Sequence, residues 1–256
     1  MTDIHHAAAQ GFASQADTYA RGRPDYPEAI DDWLRTTLGL GPGRTVLDLG
    51  AGTGKFTRRL AGTGAAVIAV EPVAQMRAQL AVALPAVQAL AGSAESIPLP
   101  DASADAVVCA QAFHWFASDR AIAEIRRVLR PRGRLGLVWN VRDESVDWVA
   151  RLTAIMTPYE GDAPRFYKGD WKRVFPAEGF GHLALHSLPY THVGPPQQVI
   201  VDRMMSVSFI ASLPGTEQER VRAALQAVID GHPALAGRQE VSFPYRTEAY
   251  SCERLD

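Results

Sequence analysis

The spacing of apolar positions along this chain switches repeatedly between the patterns of a buried strand and of a one-sided helix. Val46-Leu47-Asp48-Leu49 is a short apolar run that opens into Gly50-Ala51-Gly52-Thr53-Gly54, and Lys55-Phe56-Thr57-Arg58-Arg59-Leu60 then has helical composition and stops at Gly62. This predicts a strand, a tight turn and a helix. Val67-Ile68-Ala69-Val70 is continuously apolar, as expected of a strand buried on both faces, and it ends at Glu71-Pro72 before a helix that reaches about Leu84. Short apolar runs at 87–90, 105–110 and 135–139 predict three further strands. Ile122, Ile125, Val128 and Leu129 sit at helical spacing before Pro131-Arg132-Gly133 turns the chain into the last of these. Such alternation implies an α/β domain with a parallel sheet and helices on both faces.

The flanks are less regular. Residues 7–20 form an alanine-rich helical stretch with Phe12 and Tyr19 as its large members, broken by Pro24 and Pro27. A helix over 28–38 places Ile30, Trp33, Leu34 and Leu38 on one face, and a glycine-proline linker at 39–43 follows. Beyond the alternating region, 146–156 reads as helix, 158–169 as loop and 183–188 as strand. Helices are predicted over 198–213 and 217–229, and a final strand over 241–245. The chain is expected to be a single domain over 1–256, with a helical lid from 1–40 and about 195–236.

Composition narrows the classes. Hydrophobic residues make up 47% of 256 residues, enough for a sizeable core, and the net charge is −2 without a long basic run. Neither nucleic acid nor a membrane surface is suggested as a partner. Cys109 and Cys252 give neither a disulfide framework nor zinc spacing. The first residues lack the pattern of a signal peptide, and no apolar run approaches the ~20 residues of a membrane span, so a cytoplasmic location is expected. His182 and His186 would share a strand face about 13 Å apart, too far for one metal, so no metal site is expected.

Three ligands compete for the glycine turn. A phosphate-binding loop requires a glycine where Leu49 stands and Ser or Thr where Phe56 stands, so nucleotide hydrolysis is excluded. A dinucleotide turn fails in both registers, because its third small residue falls on Lys55 or on Thr57. S-adenosylmethionine has no phosphate and asks only that the turn admit its methionyl portion. Glu71, at the end of the second predicted strand, can accept both hydroxyl protons of a ribose, and Asp48 can orient the turn amides, meet the ligand ammonium, or simply cap the turn.

These segments, together with Gly92-Ser93-Ala94-Glu95-Ser96-Ile97-Pro98, Ala110-Gln111-Ala112-Phe113-His114-Trp115 and Tyr19-Ala20-Arg21-Gly22-Arg23-Pro24-Asp25-Tyr26-Pro27, resemble class I S-adenosylmethionine-dependent methyltransferases of the type 11 group. The resemblance extends through Arg127 to Leu135, Ser206 to Pro214 and Phe243 to Thr247. It implies a Rossmann-like, doubly wound, seven-stranded sheet whose last strand is antiparallel. It also implies that Gly50, Ala51 and Gly52 contact the methionyl part of the cofactor. Glu71 would hold the ribose, Pro72 and Met76 would flank the adenine, and Ala94 and Glu95 would cover its edge. Gln111 and Ala112 would lie beside the sulfonium, and Tyr19 and Arg23 would close over the carboxylate.

His114 is the one candidate general base, because it follows the fourth strand and its ordinary pKa of about 6.5 suits proton abstraction; the other reading is that His114-Trp115 merely walls the pocket. The expected reaction is methyl transfer to an oxygen, nitrogen or carbon atom of a small molecule. Trp115, Trp139, Phe166, Tyr167, Tyr190 and Phe209 are candidate aromatics of the acceptor pocket. Met204-Met205 is expected to pack internally or to face such a substrate. A cofactor-binding sensor without transferase activity and an NAD-dependent oxidoreductase remain as alternatives.

Overall fold

A computed structural model describes residues 23–256. The helix expected over 7–20, and Tyr19 with it, lie outside the described residues. The first described element is α1 (Ala29–Thr36). Alternation then builds β1 (Thr45–Leu49), α2 (Lys55–Ala61), β2 (Ala66–Val70), α3 (Ala74–Ala83), β3 (Gln88–Leu90), β4 (Ala104–Ala110), α4 (Asp119–Val128) and β5 (Leu129–Arg142). After α5 (Asp147–Met156) come β6 (Ala184–Gly194), three short helical segments, α8 (Gly215–Gly231) and β7 (Val241–Glu253).

The seven strands form one sheet in the order β3-β2-β1-β4-β5-β7-β6. β1 pairs in parallel with both β2 and β4, so the chain leaves the sheet centre in one direction and returns to fill the other side. β7 enters between β5 and β6, antiparallel to both. Expectation and structure agree on the doubly wound, seven-stranded arrangement.

Strand periodicity divides the core into two layers. On one face Val46, Ala106, Val108 and Val138 pack against Ile30, Trp33, Leu34, Phe56 and Leu60 of α1 and α2. On the other, Leu47, Val107, Cys109, Leu135 and Leu137 meet Ile122, Ile125 and Val128 of α4. Gly136 matters to the first layer, because a Cβ there would lie 2.8 Å from Leu38 Cδ1 and 3.0 Å from Trp33 Cη2. The chain around α1 therefore sits directly on the sheet, whereas 23–27 turn toward the strand ends. A third apolar cluster joins α5, 199–210 and α8 to Val241, Phe243 and Tyr245, forming a helical cap over the extended ends of β5, β6 and β7.

Three sequence expectations are corrected. β7 is far longer than 241–245, because it pairs along both edges; its polar members are satisfied inside the sheet, with Thr247 Oγ1 donating to Asn140 Oδ1 at 2.6 Å and Tyr250 Oη to Glu248 at 2.7 Å. β6 runs past 188 as a half-exposed outer strand, with Pro189 opposite Arg246. The helix expected over 198–213 is broken into a π-helical turn at Gln197–Asp202, α6 (Arg203–Met205) and α7 (Ser208–Ala211). Ser206 Oγ donates back to Arg203 O at 2.8 Å and Val207 is extended, so the local side-chain bond competes with helix continuation.

Candidate active site

The carboxyl ends of β1, β2 and β4 border a cleft of about 1370 Å³, its mouth included. This is the point where the sheet order reverses, and open α/β sheets place ligands there. Gly50 ends β1 at φ +74°, and a Cβ on it would lie 2.8 Å from Ala112 Cβ. Only glycine allows the turn to pass that close to the end of β4.

Two acids sit under this turn. Glu71, 5% exposed, accepts the Gly52 N–H at 2.9 Å on one oxygen and the Val73 N–H at 2.8 Å on the other. It thus ties the glycine turn to the start of α3, and each oxygen keeps a lone pair for a further donor. Burial pushes its pKa up, against the pull of those two amides and of Arg77. Asp48 is 1% exposed; Oδ2 accepts from Thr57 Oγ1 at 2.6 Å, and Oδ1 is buried without a hydrogen bond. Burial raises the Asp48 pKa to about 7, helped by Glu71 and opposed by Thr57.

The rim is built from three other segments. Ala94 and Glu95 line the cleft on a loop that α4 clamps from outside. Arg127 donates to Ile97 O at 2.9 Å and Leu99 O at 2.8 Å, while Glu124 accepts the Ile97 N–H at 2.9 Å. Pro72 and Met76 form the wall over α3. Gln111 follows β4 in a left-handed conformation, φ +58°, with its N–H donating to Val138 O at 2.8 Å; that backbone costs a non-glycine residue about 1–2 kcal/mol. The segment 23–27 closes the near side. Arg59 donates to Tyr26 O at 2.8 Å, Asn140 to Asp25 O at 2.8 Å, and Lys55 to Arg23 O. Every described residue expected at the cofactor site, Arg23, Asp48, Gly50, Ala51, Gly52, Glu71, Pro72, Met76, Ala94, Glu95, Gln111 and Ala112, lines this one cleft.

A second cavity of about 790 Å³, its mouth included, adjoins the first, and the two share Arg23, Gln111, Trp115 and Arg203. Of the six aromatics expected at an acceptor pocket, Trp115, Trp139, Phe166 and Tyr167 line this cavity. Tyr190 and Phe209 do not: Tyr190 packs on Tyr245 with ring centres 6.1 Å apart, and Phe209 lies beneath the Arg165 guanidinium at 5.1 Å. His114 is here, but the indole N–H of Trp139 donates to its Nδ1 at 3.0 Å. An indole nitrogen only donates, so the neutral ring carries its proton on Nε2 and its one lone pair is engaged. Loss of solvent, with Arg165 and Arg23 nearby, pulls its pKa down to about 3. His114 is therefore set up to donate a hydrogen bond, and the expectation of a general base gives way.

The sequence reading missed Arg142, Arg165 and Arg203, which also border this cavity. A signal was present: Arg142 ends the apolar run Val138-Trp139-Asn140-Val141, and Arg203 interrupts Val199-Ile200-Val201-Asp202 and Met204-Met205. Cationic residues embedded in apolar runs are seldom left buried without a purpose. Among the described residues no group of His, Cys, Asp and Glu could hold a metal ion, and no helix is long and apolar enough to cross a membrane. Both cysteines are buried and free.

Comparison with known proteins adds a family to this geometry. The profile of the methyltransferase domain family matches residues 47–137. An uncharacterized methyltransferase-like protein of Schizosaccharomyces pombe is 40% identical over 244 residues, 95% of this chain and 95% of that one. The chain belongs to the methyltransferase domain family. An uncharacterized methyltransferase of Mycobacterium bovis is 42% identical over 247 residues, covering 96% of this methyltransferase and 97% of the relative. Among solved structures, phospholethanolamine N-methyltransferase 2 of Haemonchus contortus, in complex with phosphomonomethylethanolamine and S-adenosylhomocysteine, has a TM-score of 0.60 at 12% identity. It covers 100% of this methyltransferase and 61% of its own chain, and the likeness is one of fold. Membership of the family implies use of S-adenosylmethionine.

Proposed function

We propose that this methyltransferase transfers a methyl group from S-adenosylmethionine to a small molecule, with the first cavity holding the donor and the second the acceptor. The observation that carries the reading is Glu71, buried at the floor of the cleft, bonded to the glycine turn and still able to accept from a diol. The donor set fits the cofactor. Asp48 Oδ1, buried and without a hydrogen bond, suits an ammonium group, and Arg23 on the opposite rim suits a carboxylate. Ala51, Gly52, Pro72 and Met76 offer apolar surface and close backbone approach to a nucleoside, with Ala94 and Glu95 at its edge.

The cofactor supplies an electrophilic methyl group on a positively charged sulfur. The chain's own work is placement. Gln111 and Trp115 stand where the two cavities meet, so an acceptor held in the second cavity would lie next to a donor held in the first. Holding two reactants in such geometry removes on the order of 7–11 kcal/mol of barrier in favourable cases, which leaves a dedicated base optional. Residues 23–27 and the cap around 195–236 are proposed to act as the lid that excludes water, whereas 28–40, expected to belong to it, pack on the sheet instead.

Calorimetric titration with S-adenosylmethionine, S-adenosylhomocysteine and NAD tests the donor site. Micromolar binding of the two sulfur ligands, no NAD signal, and a loss of at least ~1.5 kcal/mol in Glu71→Ala are expected. Binding of NAD alone, or an unchanged affinity in Glu71→Ala, would refute the assignment.

A further inference from the structure

The second cavity carries far more positive charge than its own acids neutralise. Arg203 is 8% exposed, and its Nε and Nη1 are buried without any hydrogen bond. The Arg142 side chain is 10% exposed; its Nη1 reaches only the thioethers of Met204 at 3.4 Å and Met156 at 3.7 Å, and its nearest carboxylate is Glu144 at 3.9 Å. A thioether is a weak acceptor and leaves the guanidinium largely unsatisfied. Arg165 has Glu160 at 3.7 Å, but that acid is drawn away by Lys168 at 2.9 Å and by Tyr167 Oη at 2.6 Å. Glu144 stands at the rim, half-exposed, and accepts from Thr153 Oγ1 at 2.8 Å. Buried cations are retained only where something pairs with them.

We propose that the acceptor is a small di- or tricarboxylic acid, gripped by Arg142, Arg165 and Arg203, and that the methyl group is placed on one of its carboxylate oxygens. This deepens the methyltransferase reading and rests on it. A guanidinium matches a carboxylate edge to edge through paired N–H donors, and three such forks exceed what one carboxylate needs. Arg203 borders both cavities, so it can hold the reacting carboxylate against the donor while Arg142 and Arg165 hold the remainder. The rest of the site agrees. Burial and mutual repulsion pull Arg165 down to about 10 and lower Arg142 as well, a strain that a bound anion relieves.

The step needs no base. An oxygen lone pair of the ionised carboxylate forms the new O–C bond, the C–S bond breaks, and its electron pair stays on sulfur. The reacting carboxylate becomes an uncharged methyl ester while the acceptor's other carboxylates stay ionised, the sulfonium becomes the neutral thioether of S-adenosylhomocysteine, and no proton moves. His114, with its lone pair committed to Trp139, donates from Nε2 instead of abstracting. Methylation of an alcohol would leave a proton to be disposed of, and His114, its lone pair engaged, is not placed to take it.

The test is calorimetric titration of protein saturated with S-adenosylhomocysteine. The probes are succinate, tricarballylate, phenyl phosphate and ethanolamine, and methyl transfer to each is followed by mass spectrometry with S-adenosylmethionine. Tricarballylate or succinate should bind and gain 14 mass units as a methyl ester labile to alkali. Arg142→Met and Arg165→Met should each weaken that binding at least tenfold while the affinity for S-adenosylhomocysteine stays within twofold. Binding of phenyl phosphate or ethanolamine but of neither carboxylate, or carboxylate binding indifferent to both variants, overturns the proposal. Failure of S-adenosylhomocysteine itself to bind overturns the parent reading, and this one falls with it. The wild-type titration decides the matter even if a variant fails to fold.

Discussion

Asp48 shows how much one side chain can report about this site. Its folded pKa of about 7 lies above the ordinary carboxylate value, with burial the main cause and Glu71 and Thr57 acting in opposite senses. Buried Cys109 on the neighbouring β4 has its thiol pushed up, by burial first and by the charge of Asp48 second. Because the folded state holds the proton that the unfolded chain releases, the stability of the ligand-free protein should fall as pH rises from about 4 to about 7 and level off above. A ligand ammonium favours the charged form, so donor binding should release a proton below pH 7. Affinity should climb by up to tenfold per pH unit toward pH 7, and Asp48→Asn should flatten both curves; calorimetry in buffers of different ionisation enthalpy measures the proton count. His114 predicts the opposite kind of result. Its pKa of about 3 leaves nothing to titrate between pH 5 and 8, so kcat should be flat there, and His114→Asn should raise KM for the acceptor more than it lowers kcat. At this scale the sequence was informative where chemistry follows from position in a turn, as at Gly50 and Glu71. It was silent where a role depends on a distant partner, as with Trp139 and His114, which lie 25 residues apart.

At the level of elements, the donor cleft depends on supports that never touch it. α4 is capped by Ser118, which accepts the Ala121 N–H at 3.2 Å, and ends with Arg127 holding the carbonyls of Ile97 and Leu99, on the loop that follows Ala94 and Glu95. Arg127→Ala should loosen that loop and weaken S-adenosylhomocysteine binding on the order of tenfold, with a much smaller effect on kcat. Gly136→Val tests a different support. The added atoms would press on Leu38 and Trp33, so a loss of about 1–3 kcal/mol is expected in urea unfolding, with donor affinity retained in the folded fraction. Elements of the parallel half were readable because a fully buried strand is continuously apolar. The outer strands were not, because β6 is half-exposed and β7 buries Thr247 and Glu248 through side-chain bonds that a hydropathy pattern cannot display. The break at Ser206-Val207 was hidden for a similar reason: a serine bonding back to its own turn looks, in sequence, like any helix residue.

On the scale of the whole molecule, the sheet, the first cleft and the helical cap are arranged so that the second cavity belongs to all of them. Trp139 and Arg142 come from β5, Arg165 from the chain after α5, and Arg203 from α6. Such a site is scattered through the sequence, which is why its arginines could not be grouped beforehand, whereas the donor motifs follow one another at successive strand ends. The placement of β7 has a consequence for how this protein comes into being. On the ribosome, β5 and β6 emerge well before the strand that must lie between them, and each waits with an open edge. The sheet cannot close until β7 has been synthesised. During that interval the nascent chain exposes two pairing surfaces at once, and protection of those edges by a chaperone would matter most between the synthesis of β6 and that of β7.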